Sequence, residues 1–140
     1  MTQPITVDEV VAAQKAWGAA VAGDDVDTLL GLYDLNNLLF KPTASASIRT
    51  DAAGTRSYFV GSPERPEDLG FLRRPVTEVR FSSSRGPQLS ADQSLAHDMG
   101  HYAFVRPDGT ALEADYSFIY RKVDGRILIA LHHSSFTVTA

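Results

Sequence analysis

The feature that most restricts this chain is a change of hydrophobic period part-way along it. Over its first quarter apolar residues recur at three- and four-residue steps, and from Val76 onward they alternate with polar ones. Thr6-Val7-Asp8-Glu9 has capping-box spacing, and Val7, Val10, Val11, Trp17 and Val21 form one helical stripe that stops at Gly23. Asp24 or Asp25 caps a second helix with Val26, Leu29, Leu30 and Tyr33 on one face, and Thr50-Asp51 caps a third that runs to about Phe59. Between them Leu38-Leu39-Phe40 reads as a short strand. In the second half, Thr77, Val79 and Phe81 alternate, and Leu95 to Val105 is a long strand with Gly100 as a candidate bulge. Leu112, Ala114, Tyr116, Phe118 and Tyr120 share one face of the next strand, and Asp124-Gly125 turns into a last one, Arg126 to about Phe136. Helices first and long antiparallel strands after them predict an α+β fold, in which a curved sheet buries its apolar face on the helices. The expected ligand site is the cone between the two layers, walled by Tyr116, Phe118 and Tyr120.

At 140 residues with 44% hydrophobic content, residues 1–140 are expected to form one domain. A net charge of -4 argues against a phosphate-backbone partner, so no nucleic acid is expected. The absence of cysteine removes disulfides, thiolate nucleophiles and thiolate metal sites, leaving oxygen and imidazole groups to carry any chemistry. The N-terminal region has no long apolar run, so a soluble cytoplasmic protein without membrane attachment is expected.

The most unusual polar cluster is His132-His133-Ser134-Ser135 at the end of the last strand. Neighbours on a strand point to opposite faces, so His133 goes with Ser135 and His132 with Ser134. Ile127, Ile129 and Leu131 share the parity of His133 and Ser135, and the more apolar face is expected inward, which puts that pair in the cavity. A structural role for both histidines is the competing reading. A shared metal ion is not expected: His132 and His133 face apart, and His97 and His101, four apart on a strand, are separated by about 13 Å. No His-Glu-x-x-His, nucleophile elbow or phosphate loop is present.

Several of these segments resemble a known family. The order of helices and sheet, with a terminal His-His-Ser-Ser, is similar to the cone-shaped nuclear transport factor 2-like superfamily, and within it to the association domain of calcium/calmodulin-dependent kinase. Leu39-Phe40-Lys41-Pro42-Thr43, Ser57-Tyr58-Phe59-Val60-Gly61, Met99-Gly100-x-Tyr102, Asp115-Tyr116-Ser117-Phe118 and Leu131-His132-His133-Ser134-Ser135 resemble the iota-class carbonic anhydrases. That resemblance implies interconversion of carbon dioxide and bicarbonate without a metal or other cofactor. It carries the catalytic roles to Thr43, Tyr58, His133 and Ser135, with Ser45, Ser47 or Thr50 as substitutes for Thr43. Tyr116 and Phe118 are expected to contact substrate beside them, and His132 and Ser134 are one register slip away. The expected partners are the small-molecule substrate and a second copy of the chain, as a homodimer or higher homo-oligomer. The alternative is a non-catalytic small-ligand-binding or oligomerisation module of the same fold.

Overall fold

The protein is described by a computed structural model covering residues 3–138. Helix α1 (Val7–Ala22) begins at a capping box: Glu9 N–H donates to the Thr6 hydroxyl at 3.2 Å, and Thr6 N–H donates to the Glu9 carboxylate at 3.0 Å. Its buried stripe is Val10, Gln14, Trp17, Ala20 and Val21, whereas Val7 lies 41% exposed at the first turn, outside the stripe expected of it. Asp25 caps α2 (Val26–Gly31) by accepting from Thr28 N–H at 3.1 Å. Asp51 caps α3 (Ala52–Val60) in the same way through Gly54 N–H, at 2.8 Å.

The strands are β1 (Leu39–Lys41), β2 (Glu78–Ser83), β3 (Gln88–Leu89), β4 (Leu95–Val105), β5 (Ala111–Val123) and β6 (Arg126–Phe136), with a 3-10 turn at Phe71–Arg73. The sheet order is β1-β6-β5-β4-β2, with the short β3 also on β4; β1 runs parallel to β6 and every other pair is antiparallel. Ala114, Tyr116, Phe118 and Tyr120 on β5, and Ala96, Tyr102 and Phe104 on β4, face the helices and are buried. Trp17 supplies the helical side of this core, stacked on Tyr102 at 5.7 Å between ring centroids.

The one register shift among the described strand pairs lies elsewhere than at Gly100. Gly100 does not interrupt β4, whose register with β5 is continuous from Leu95 to Val105. Its lack of a side chain serves a close approach instead, since a Cβ there would overlap the Ser82 carbonyl oxygen of β2. The bulge lies on β6: Tyr120 pairs with Ile129 but Ile119 pairs with Leu131, so Ala130 is the extra residue. It falls where β6 changes partner. Ile129 exchanges backbone hydrogen bonds with the end of α2, through Leu32 O and Asp34 N at 2.8 Å each, while pairing with β1 begins at Leu131.

The loop from Gly61 to Gly70 is tied down by a buried ion pair. Arg49 donates through both terminal nitrogens to the Asp68 carboxylate at 2.7 Å each, and Ser57 donates to the same carboxylate at 2.6 Å. With side chains only 0% and 2% exposed, this pair locks α3 and the loop onto the segment after β1.

Candidate active site

The bulge at Ala130 decides which half of the His-His-Ser-Ser cluster faces the core. Ile129 is buried, but one extra residue reverses the parity beyond it. His132 and Ser134 therefore point inward, opposite Phe118 and Tyr116, with exposures of 2% and 0%. His133 is exposed and Ser135 only half-buried, on the outer face. The expectation that His133 and Ser135 enter the cavity is overturned, because parity counted from Ile127 and Ile129 does not survive the bulge.

His132 lies flat between two phenyl rings, 4.2 Å from Phe118 and 4.8 Å from Phe40 between centroids. Burial in this apolar slot pushes its pKa down to about 3, so the ring is neutral at physiological pH. Both ring nitrogens have phenol partners, Nδ1 with Tyr33 at 2.9 Å and Nε2 with Tyr102 at 3.0 Å. The tautomer follows from the network. Trp17 Nε1–H, which can only donate, binds the Tyr33 oxygen at 3.1 Å, and Tyr102 O–H donates to Ser134 at 2.5 Å. Tyr33 O–H then donates to Nδ1, and Nε2–H donates to the Tyr102 oxygen. Ser134 in turn donates to Thr43, its hydrogen-bonded neighbour. The chain runs one way, Trp17 to Tyr33 to His132 to Tyr102 to Ser134 to Thr43, and its free end is the Thr43 hydroxyl.

Tyr58, on α3, faces the same end. Its oxygen accepts from Ala44 N–H at 3.3 Å, which leaves its own proton to donate. Burial pushes its pKa up to about 12, and burial also raises Tyr102, so both phenols remain protonated donors. Thr43, Tyr58, Tyr102 and His132 line an inner chamber of about 10 Å³ with Trp17, Phe40, Phe59, Phe71 and Phe104. That volume is room for one water molecule at most.

The structure thus brings together Thr43, Tyr58, His132 and Ser134, and separates them from His133 and Ser135. Phe118 packs on the histidine ring and Tyr116 turns its hydroxyl to Asp98 at 2.9 Å, and none of the three expected wall residues, Tyr116, Phe118 and Tyr120, lines the chamber. Ser45 bonds Arg49, and Ser47 and Thr50 are exposed, which leaves Thr43 as the hydroxyl at this site. Tyr33, Tyr102 and Trp17 were missed as polar participants. Strand alternation alone puts Tyr102 on the inward face with Phe104, and that signal was available. Among the described residues no three histidine, aspartate or glutamate side chains gather in a group that could hold a metal ion. His101 instead pairs with Asp115 at 2.7 Å on the outer face.

Outside the chamber, across Tyr58 and Phe71, lies a second cavity of about 340 Å³, also lined by Ala44, Leu112, Phe136, Arg73, Arg74 and Arg106. Tyr58 and Phe71 line both spaces and stack at 5.6 Å, forming the wall between them.

Comparison with known proteins gives a consistent result. The family model described as metal-independent carbonic anhydrase matches residues 12–136. A metal-independent carbonic anhydrase from Nostoc sp. is 32% identical over 96% of this chain and 75% of its own length. The crystal structure of a cyanobacterial iota-carbonic anhydrase complexed with bicarbonate superposes with a TM-score of 0.85 at 29% identity, covering 100% of this chain and 97% of that one. A putative calcium/calmodulin-dependent protein kinase II association domain from Xanthomonas campestris follows at a TM-score of 0.72 and 26% identity, over 94% and 88% of the two chains. An NTF-2 like protein from Shewanella oneidensis, at 21% identity and a TM-score of 0.69, shares the fold.

Proposed function

This chain belongs to the metal-independent carbonic anhydrase family, and from that premise we propose that carbon dioxide is hydrated where Thr43, Tyr58, Tyr102, His132 and Ser134 meet. The protein is an enzyme that interconverts carbon dioxide and bicarbonate. One observation supports placing the reaction here: the directed chain from Trp17 ends in a hydroxyl donor at Thr43, beside a second donor at Tyr58.

In the forward direction the oxygen of a water adds to the carbon of carbon dioxide. One C=O π pair moves onto oxygen, and the water loses a proton. Negative charge grows on oxygens that Thr43 and Tyr58 can meet with O–H donors already fixed in place, so little reorganisation is needed. The phenyl rings around the chamber suit carbon dioxide and keep bulk water out.

His132 is not the proton acceptor in this scheme. Both its nitrogens are engaged and its low pKa prevents it from holding a proton near neutrality. Nor does the chain carry a proton away, because it ends inside the core at an indole N–H. The proton leaves on the Tyr58 side to a base in solution, and the chain acts by orienting Ser134 and Thr43. Neutral hydroxyls activate water less than a zinc ion does, so turnover slower than that of zinc enzymes follows.

Stopped-flow carbon dioxide hydration on the purified protein, with and without a strong chelator, tests this function. Activity unchanged by the chelator is expected. A wild-type protein with no activity overturns the reading, and activity abolished by chelation overturns its metal independence.

We propose self-association and a cytoplasmic location as part of the same reading. Leu39 and Met99, 54% and 63% exposed, are outward positions on the sheet that a second copy would cover. Light scattering after gel filtration gives the mass, and a monomer at micromolar concentration overturns association. No helix among the described residues is long and apolar enough to cross a membrane, and cell fractionation tests the location.

A further inference from the structure

We infer that the cavity outside Tyr58 and Phe71 is a binding site for a carboxylate-shaped anion, held by Arg73, Arg74 and Arg106 and loaded by bicarbonate on its way to and from the inner chamber. The bicarbonate assignment rests on the function proposed above; the anion site itself rests on charge and shape. Arg73, Arg74 and Arg106 line this cavity, and among the described residues none of the three has an ion-pair partner within 4 Å. Of the two carboxylates on its wall, Asp68 is neutralised by Arg49, which leaves Glu67 against three positive charges. A cationic cluster of this kind in a chain of net charge -4 concentrates anions that the rest of the molecule repels. Guanidinium is also the side chain whose fork matches a planar carboxylate.

The site is built rather than incidental. Arg73 packs along Gly70, where φ is 86° and a Cβ would come within 3.1 Å of its Cγ and Nε. The loop carrying Glu67, Asp68 and Leu69 is fixed by the buried Arg49–Asp68 pair. The space of about 340 Å³ is within the range of small-molecule sites, while the inner chamber, at about 10 Å³ in this conformation, admits bicarbonate only once its wall moves. An anion therefore stands first in the outer cavity, beside Tyr58, and Phe71, packed on Tyr58, has to shift for it to reach Thr43. The remaining wall, Leu69, Val76, Leu112 and Phe136, is apolar, so an anion with an aromatic body binds there better than bicarbonate does.

The test uses benzoate as an inert probe, benzamide as its uncharged counterpart and isotope-labelled bicarbonate as the substrate anion, each titrated by NMR against the full chain. Saturable benzoate binding that perturbs Phe71 and Tyr58 is expected, weakened about tenfold or more in the Arg73→Gln/Arg106→Gln double variant and by added salt. Bicarbonate should displace benzoate, and benzamide should bind weakly and equally to wild type and variant. If the double variant does not fold, Arg74→Gln at an exposed position replaces it, with a loss of about threefold expected. Equal affinity for benzamide, benzoate binding indifferent to the arginines, or failure of bicarbonate to compete overturns the proposal. Arginine-dependent competition between benzoate and bicarbonate in a protein with no hydration activity overturns the catalytic reading and leaves the anion site standing.

Discussion

Two buried polar networks sit on the inner face of the same sheet, and they end differently. Around Asp98 on β4, Gln14 donates at 2.7 Å, Tyr116 at 2.9 Å and Ser83 at 2.5 Å, and Met99 N–H donates at 2.9 Å. That carboxylate is an acceptor surrounded by donors, and the network closes on itself. Around His132 no member is charged, each group donates to the next, and the last hydroxyl, Thr43, lines a chamber. Both satisfy buried groups and both stabilise the fold. Only the second leaves hydrogen-bonding capacity over for a ligand, and that surplus is what separates a site from a structural network.

The sharpest way to break the contrast is Tyr58→Phe. It removes one donor at the open end and should lower kcat/KM for carbon dioxide by about 100- to 1000-fold, while urea unfolding shifts little. A variant that keeps more than a third of the wild-type rate would remove Tyr58 from the mechanism. Ser134→Ala, which cuts the chain between Tyr102 and Thr43, should cost about tenfold to 100-fold in the same assay.

Asp98→Asn is the mirror experiment on the closed network. The amide turns one acceptor into a donor facing other donors, so unfolding free energy should fall by about 1–3 kcal/mol. Activity per folded molecule should stay within about threefold, since the variant touches no group at the chamber. A larger rate loss at unchanged stability would mean that the two networks are coupled.

Acid sharpens the comparison further, because only one network contains a buried neutral imidazole. The folded pKa of His132, about 3, lies below its ordinary value of 6.5. Between those values the unfolded chain binds a proton that the folded chain does not. Stability is therefore complete above pH 6.5 and falls with pH below it, by at most about 1.4 kcal/mol per pH unit from this group. Urea unfolding of His132→Phe at pH 7 and pH 5 should show a flatter dependence than wild type; an equal slope would place the acid sensitivity elsewhere. The smallest effects belong to the outer face: His133→Ala and Ser135→Ala should leave the hydration rate within about twofold of wild type. A loss beyond tenfold in His133→Ala would contradict the inward placement of His132.

Much of the fold was legible in advance because it depends on local chemistry. The Thr6–Glu9 box, the Asp25 and Asp51 caps and the five-residue alternation from Leu112 to Tyr120 each carry their own geometric consequence within a few residues. Part of the candidate site was legible too, since the family resemblance named Thr43 and Tyr58, which line the chamber. Which histidine and serine belong to it was not. That depends on Ala130, an ordinary residue that bulges because β6 leaves the end of α2 and joins β1 at that point, and no property of Ala130 announces it. Tyr33 and Trp17 lie 99 and 115 positions from His132 in the chain, and their link to it exists only once α1 and α2 pack on the sheet. By itself the sequence determined the elements and the inventory of reactive groups, since capping and alternation act over short range. The tertiary structure alone decided which groups face inward, the direction of their hydrogen bonds and the neutrality of His132, because register, packing and burial are set by partners far away in the chain.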